Sequence, residues 1–428
     1  MEQENRLPQA IQAAIALLRS LGDGDRVAVV AFSSSAQTLF ALGPALHAGA
    51  LRAVESLRAD GRTAIGLGLL AGLDQLSAVS AERRVVLLMT DGENNEAEHA
   101  IEEAVQKAAR EGIPILTIGF GRDAGLELLR EIAQRTGGYF TTADSGTLAQ
   151  TYLQLRSIAR NDTDLALIRG TIRQGQTRKH FVHIPPGSAD FRGTLNWQGS
   201  RMSLRLVSPG GRAIDAASAS QLPGVAFDEM PAHNLISVNI SSPQAGQWQA
   251  IAVGEDIPPT GEIYTFSASA ESPLVARALP LPAFVSRGGS AKLGVVVETA
   301  PATVTGTVRT GKTKEWRLPL NDAGVNGDAV AGDSTHSCEF TSDLPVGIYP
   351  VTYHIRSGGR NLTLRASLQI GAAAEILQSP DPVIWAESAG ANLWAPAIIL
   401  SVVLALSVSI GVSLFVISQN TRLSLIHI

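Results

Sequence analysis

The chain has 428 residues, too long for one ordinary core, so two or three domains are expected. Its 45% hydrophobic and 17% charged content excludes global disorder, and a net charge of -5 gives no general reason to bind nucleic acid. A single cysteine, Cys338, excludes an internal disulfide framework and any multi-cysteine metal centre.

Residues 7–19 place Ile11, Ala14, Ile15 and Leu18 on one face and predict a helix. After Gly22, Asp23 and Gly24 the run RVAVVAF has strand length and ends in Ser33, Ser34 and Ser35. RVVLLMT (84–90) and PILTIGFG (114–121) are further apolar strands, separated by helical patterns over 64–76, 96–111 and 126–134. A last strand opens at Gly137-Gly138 and a helix closes the segment over 146–158. Apolar strands alternating with helices predict a doubly wound, mostly parallel α/β sheet with a Rossmann-like arrangement. Ligands of such sheets bind beyond the carboxyl ends of the strands, where Asp91 follows RVVLLMT and where Thr63 precedes the helix AIGLGLLAGL.

The set DRVAVVAFSSSA, LRADGRTAIGLGLLAGLDQL, RRVVLLMTDGENN, GIPILTIGFG and IAQRTGGYF, in this order, resembles the von Willebrand factor A domain family. The resemblance covers most of residues 1–159 and implies a metal ion-dependent adhesion site. In the family a divalent cation, usually Mg2+, is held by an Asp-x-Ser-x-Ser loop after the first strand, a threonine and an aspartate. By position, Thr63 is the threonine and Asp91 the aspartate. Hydroxyls with few carboxylates suit a hard cation that keeps a position open for a partner's carboxylate. The Asp-x-Ser-x-Ser loop is absent, so the site is incomplete in this chain and weak metal binding is expected. Met1 is read as the methionine that often follows that loop, with the family's first strand upstream of it; the neighbours of that central strand are then expected to carry unpaired edges. Two structural alternatives stand beside the metal site. Thr63 also suits a helix N-cap and Asp91-Gly92 an ordinary turn, while Glu93, Asn94 and Asn95 are read as a solvated loop.

From residue 160 the helical patterns stop. Segments such as KHFVHIP, FRGTLNW, MSLRLVSP and GQWQAIAVG, set between turn residues, predict an antiparallel β-sandwich over 160–272. Residues 194–215 with SSPQAGQWQAIAV resemble the sandwich that follows the A domain in calcium-activated chloride channel regulators and related bacterial proteins, with Trp197 and Trp248 as core anchors. A second, immunoglobulin- or fibronectin-like sandwich is expected over 273–371. Its segment 320–340 carries Asp322, Asp328 and Asp333, read first as solvated turns and second as a calcium loop. His180 and His183 lie three apart on a strand, hence on opposite faces, and are not expected to share an ion.

Residues 372–392 read as a linker. Residues 393–418 carry no charge and, at 1.5 Å per residue, reach about 39 Å as a helix, so a single transmembrane helix is predicted. Residues 419–428 form a tail, in which LSLIHI (423–428) resembles a translated sequencing-library adaptor and is set aside. With Arg422 after the span, the bulk of the chain is expected to be extracytoplasmic, periplasmic or at the cell surface. The opening residues contain no secretion segment, so export implies sequence upstream of Met1. No His-Glu-x-x-His, Gly-x-Ser-x-Gly or phosphate loop occurs, and a binding protein rather than an enzyme is expected. The expected partner is a protein offering an acidic residue. A metal-free structural or regulatory subunit of a membrane complex, or a fragment of a larger protein with an upstream metalloprotease region, are the other readings.

Overall fold

A computed structural model describes residues 6–21, 24–45, 47–58, 62–77, 83–94, 97–120, 125–143, 148–160, 162–197, 199–279, 281, 284–298, 301–310, 314–341, 343–378, 383–384 and 411–418. The chain divides into two compact units, one of residues 1–161 with 401–428 and the other of residues 162–400.

The first unit runs α1 (Arg6–Ser20), β1 (Asp25–Phe32), β2 (Ala36–Pro44), α2 (Ala48–Glu55), α3 (Ile65–Ser77), β3 (Arg84–Thr90), α4 (Glu98–Glu111), β4 (Ile115–Phe120), α5 (Leu126–Arg135), β5 (Phe140–Ala143) and α6 (Leu148–Arg160). β1, β3 and β4 are buried along almost their whole length, as helices on both faces of a sheet require. β3, β4 and β5 are parallel, while β2 returns antiparallel to β1. α1 packs against α6 and α3 against α4. At the end of α6, Arg160 is ion-paired with Asp25 at the start of β1, both side chains fully buried.

Between β1 and β3 runs a strand from the far end of the chain, Gly411–Ser418. It is antiparallel to both neighbours, pairing Asp25 to Phe32 on one side and Arg84 to Met89 on the other. Two sequence expectations are corrected here. The neighbours of the central position are not left with open edges, because mid-sheet N–H and C=O groups without partners are costly and this segment satisfies them. The predicted transmembrane helix over 393–418 does not extend through 411–418, which is a strand; an apolar run alone does not separate buried strand from buried helix. Residues 393–410 lie outside the described residues, as does the tail 419–428. Among the described residues no helix is long and apolar enough to cross a membrane.

The second unit contains β6 (Thr163–Ile172), β7 (Thr177–Ile184), β8 (Asp190–Trp197), β9 (Arg201–Val207), β10 (Ala213–Ile214), α7 (Ala216–Ala219), β11 (Val225–Met230), β12 (Leu235–Ser241), β13 (Gly246–Asp256) and β14 (Glu262–Ala270). It continues with β15 (Ala276–Ala278), β16 (Ser290–Val297), β17 (Ala302–Arg309), β18 (Glu315–Leu318), β19 (Thr335–Thr341), β20 (Gly347–Ser357), β21 (Arg360–Ile370), α8 (Ala373–Gln378) and β22 (Val383–Ile384). One sheet has the order β11-β12-β8-β14-β6-β21-β20-β17-β18, with β22 beside β20. It therefore runs through both 160–272 and 273–371, joined where β21 lies parallel to β6 with Ala366 opposite Leu167. A four-stranded sheet, β10-β9-β13-β7, stacks on its first half through His180 on Phe266 and Phe191 on Trp248. Trp197 and Trp248 are buried, their indole N–H groups donating to the carbonyls of Ser200 and Gln244. β15, β16 and β19 form a third sheet that buries Cys338.

Candidate functional site

Three loops of the first unit meet beyond the carboxyl ends of β1 and β3. α3 reaches that rim because it contains glycine where it lies closest to its neighbours. A Cβ on Gly68 would fall 2.5 Å from the Phe32 ring at the end of β1, and one on Gly66 would fall 2.4 Å from the Ile101 nitrogen in α4. The glycines that make AIGLGLLAGL a poor helix by propensity are thus the ones that seat it.

Thr63, 3% exposed, ends the loop leading into α3. That loop is laced to the serine turn after β1, where Ala64 N–H donates to the Ser33 carbonyl (2.8 Å) and Arg62 N–H to Ser34 Oγ (3.3 Å). Asp91, 6% exposed, follows β3. Its turn is braced by the fully buried Thr90, whose Oγ1 accepts from Gly92 N–H (3.2 Å) and donates to the Gly92 carbonyl (3.0 Å). The Thr63 and Asp91 loops are joined directly: Asn94 Oδ1 accepts the Ile65 N–H at the first turn of α3, at 3.0 Å. Asn94 is therefore a helix cap supplied from a distant loop, not the solvated residue expected from sequence. Nor was Thr90 singled out. Its bracing role leaves no spacing signal, and Asn94 differs from any loop asparagine only by a partner 29 positions away.

Hydroxyl and carboxylate at one rim are hard oxygen donors, the chemistry a Mg2+-type ion takes. They amount to two oxygen-bearing side chains. Among the described residues no group of three or more His, Cys, Asp or Glu is gathered to hold a metal. Asp322, Asp328 and Asp333 turn their carboxylates onto the chain itself. Asp322 Oδ1 accepts from the N–H groups of Gly332 (2.9 Å) and Asp333 (3.1 Å), Asp328 Oδ2 from Gly324 N–H (2.7 Å), and Asp333 Oδ1 from Thr335 N–H (2.8 Å). Asp322 and Asp333 are turn residues as expected, whereas Asp328 is not solvated but buried, its Oδ1 accepting from Ser337 Oγ.

The family profile of the von Willebrand factor type A domain matches residues 1–154. Residues 1–154 belong to that family. Calcium-activated chloride channel regulator 1 of Bos taurus is 26% identical over 86% of this chain and 42% of its own length. A shorter match is to inter-alpha-trypsin inhibitor heavy chain H3 of Homo sapiens, 27% identical over 31% of this chain and 17% of that protein. The chain thus spans less than half the length of either relative. Among solved structures, a von Willebrand factor type A protein from Catenulispora acidiphila is similar with 18% identity and a TM-score of 0.33, covering 69% of this chain and 58% of that one.

Proposed function

We propose that the A domain is an extracytoplasmic protein-binding module in which Thr63 and Asp91 contribute to a divalent-cation site that recognises an acidic residue of a partner protein. The observation that carries this reading is the Asn94–Ile65 hydrogen bond, which ties the two donor loops together at the rim of the sheet. The donors fit a hard cation in kind, and Mg2+, which is held through one or two carboxylates and retains several waters, tolerates so small a set. When bound, the ion would supply an electrophilic position for the partner's carboxylate. Thr63 and Asp91 would orient it, Thr90 would hold the Asp91 turn, and the buried strand ends beneath would exclude water from one side.

Two protein ligands imply weak binding, so the test is direct. Titration of the full chain with Mn2+ or Mg2+, followed by calorimetry, should show a single weak site that is lost in Asp91→Ala and weakened in Thr63→Val. A wild-type chain with no saturable site, or an Asp91→Ala chain that binds as well as wild type, rejects the reading. A second reading, the A domain as a metal-free docking surface in a membrane complex, is favoured by that same small donor count. It predicts partner capture that is undiminished in chelator. Membrane attachment rests on the uncharged run 393–418, whose last eight residues serve the sheet.

A further inference from the structure

The second half of the long sheet in the second unit separates charge sharply. β17, β18, β20 and β21 carry Arg309, Arg317, Arg356, Arg360 and Arg365 against one acid, Glu315, in a chain whose net charge is -5. Cross-strand register places four of these arginines on one face, because residues directly opposite each other in a ladder share a side. Arg317, Thr307, Thr352 and Arg365 form one row across the four strands. Thr305, His354 and Thr363 form the next, and Thr303, Arg356 and Asn361 a third. Arg309 lies beside the first row and meets Glu315, Nε to Oε1 3.5 Å. The reverse face, with Val304, Val308, Tyr353, Ile355 and Leu364, is buried core.

Arg317, Arg356, His354, Thr303 and Thr305 are exposed, and Arg365 is half-buried. The cations are near enough to act on one another. Burial first, and Arg309 second, lower Arg365 to about 10; burial first, then Arg365, lower His354 from its ordinary value. Arg365 is still charged at neutral pH, and His354 Nδ1 is hydrogen-bonded to Thr363 Oγ1 at 2.7 Å.

We infer that this face is a binding surface for an acidic polysaccharide, a linear polymer bearing sulfate or carboxylate groups among hydroxyls. Charge complementarity sets the sign of the occupant, and guanidinium groups match sulfate and carboxylate oxygens through paired N–H donors. Spacing sets its character. Arg317 and Arg365 end a row of four strands, about 14 Å apart at ordinary strand spacing, with threonine hydroxyls between them. The rows contain no aliphatic side chain, and their single aromatic ring, the imidazole of His354, is held edge-on to Thr363 by its hydrogen bond, so they offer neither the apolar wedge a bilayer surface takes nor the run of aromatic faces on which successive bases of a single strand stack. Alternating cation and hydroxyl match a hydroxylated polyanion.

The experiment uses the full chain with heparin as the probe, titrated at several NaCl concentrations. The variant is Arg317→Ser with Arg356→Ser, two exposed positions whose loss leaves the core intact; a matched control is Arg52→Ser with Arg110→Ser in the first unit. Wild type and control should bind with the same affinity, the face variant should bind about tenfold more weakly, and its salt dependence should be shallower. Equal heparin binding by wild type and face variant, or no binding at all, overturns the inference. Binding of single-stranded DNA as tight as heparin, or sedimentation with phosphatidylserine vesicles that the face variant loses, also overturns it by giving the surface to another anion. Equal affinity for neutral dextran removes the role of charge.

Discussion

Asn94 joins two loops with a single side-chain oxygen. Without it the first turn of α3 loses a cap and the Thr63 loop loses its tether to Asp91. Asn94→Ala should cost about 1 kcal/mol in urea denaturation, the usual loss for a removed cap. It should also raise hydrogen exchange at the Ile65 amide relative to that of core strand β4; an unchanged Ile65 exchange rate would show the tether to be idle. The place of Thr63 and Asp91 at the rim was legible in the sequence because each adjoins a strongly patterned element, the glycine-rich helix and RVVLLMT, which fix where the residues emerge. Asn94 and Thr90 were not, since their roles depend on what lies opposite them in space. Asp25 and Arg160 make the same point, as a fully buried ion pair between residues 135 positions apart. Removing one partner of such a pair leaves a charge without compensation, whereas a surface pair is nearly dispensable.

At the scale of single elements, period decided most of the outcome. β1, β3 and β4 were readable because apolar runs of strand length lie between helical patterns. β2 and α2 were missed: β2 is the partly exposed edge strand, so its pattern is weak, and α2 spans only eight residues. The two-residue alternation of β7 was enough to separate His180 from His183, and the structure turns His180 inward against Tyr264, Nε2 to Oη 2.8 Å. Burial first, with Arg178 and Arg365 adding to it, lowers His180 to about 3. The unfolded chain therefore takes up this proton near pH 6.5 while the folded chain refuses it, so this contribution to stability is complete above about 6.5 and declines as the pH falls toward 3. Denaturant melts should show a slope of up to about 1.4 kcal/mol per pH unit from this residue in that window. His180→Gln should flatten the dependence while lowering stability at pH 7; an unchanged slope would assign the proton uptake elsewhere.

For the molecule as a whole, the run 393–418 was legible as apolar and uncharged but not as to its destination. Chain length sets a limit on combining its two uses. With Gly411–Ser418 in the sheet, 18 residues remain, about 27 Å as a helix against roughly 30 Å of hydrocarbon, so sheet completion and a full span compete for the same segment. Leu414→Pro tests the strand directly. It removes a backbone N–H between Val29 and Leu87 in mid-sheet, and should lower the thermal midpoint of the first unit while leaving the second unit's transition in place. A first-unit midpoint equal to wild type would remove the strand from the folded sheet.

The position of that strand in the chain also orders events during synthesis. Its pairing partners are made early, but it emerges from the ribosome only after every strand of the second unit, more than 300 positions beyond β3. Closure at such sequence separation is slow, and a nascent sheet with two exposed edges is prone to wrong partners. The first unit therefore finishes folding only after the second has been made, and in the interval it is a natural client for a chaperone.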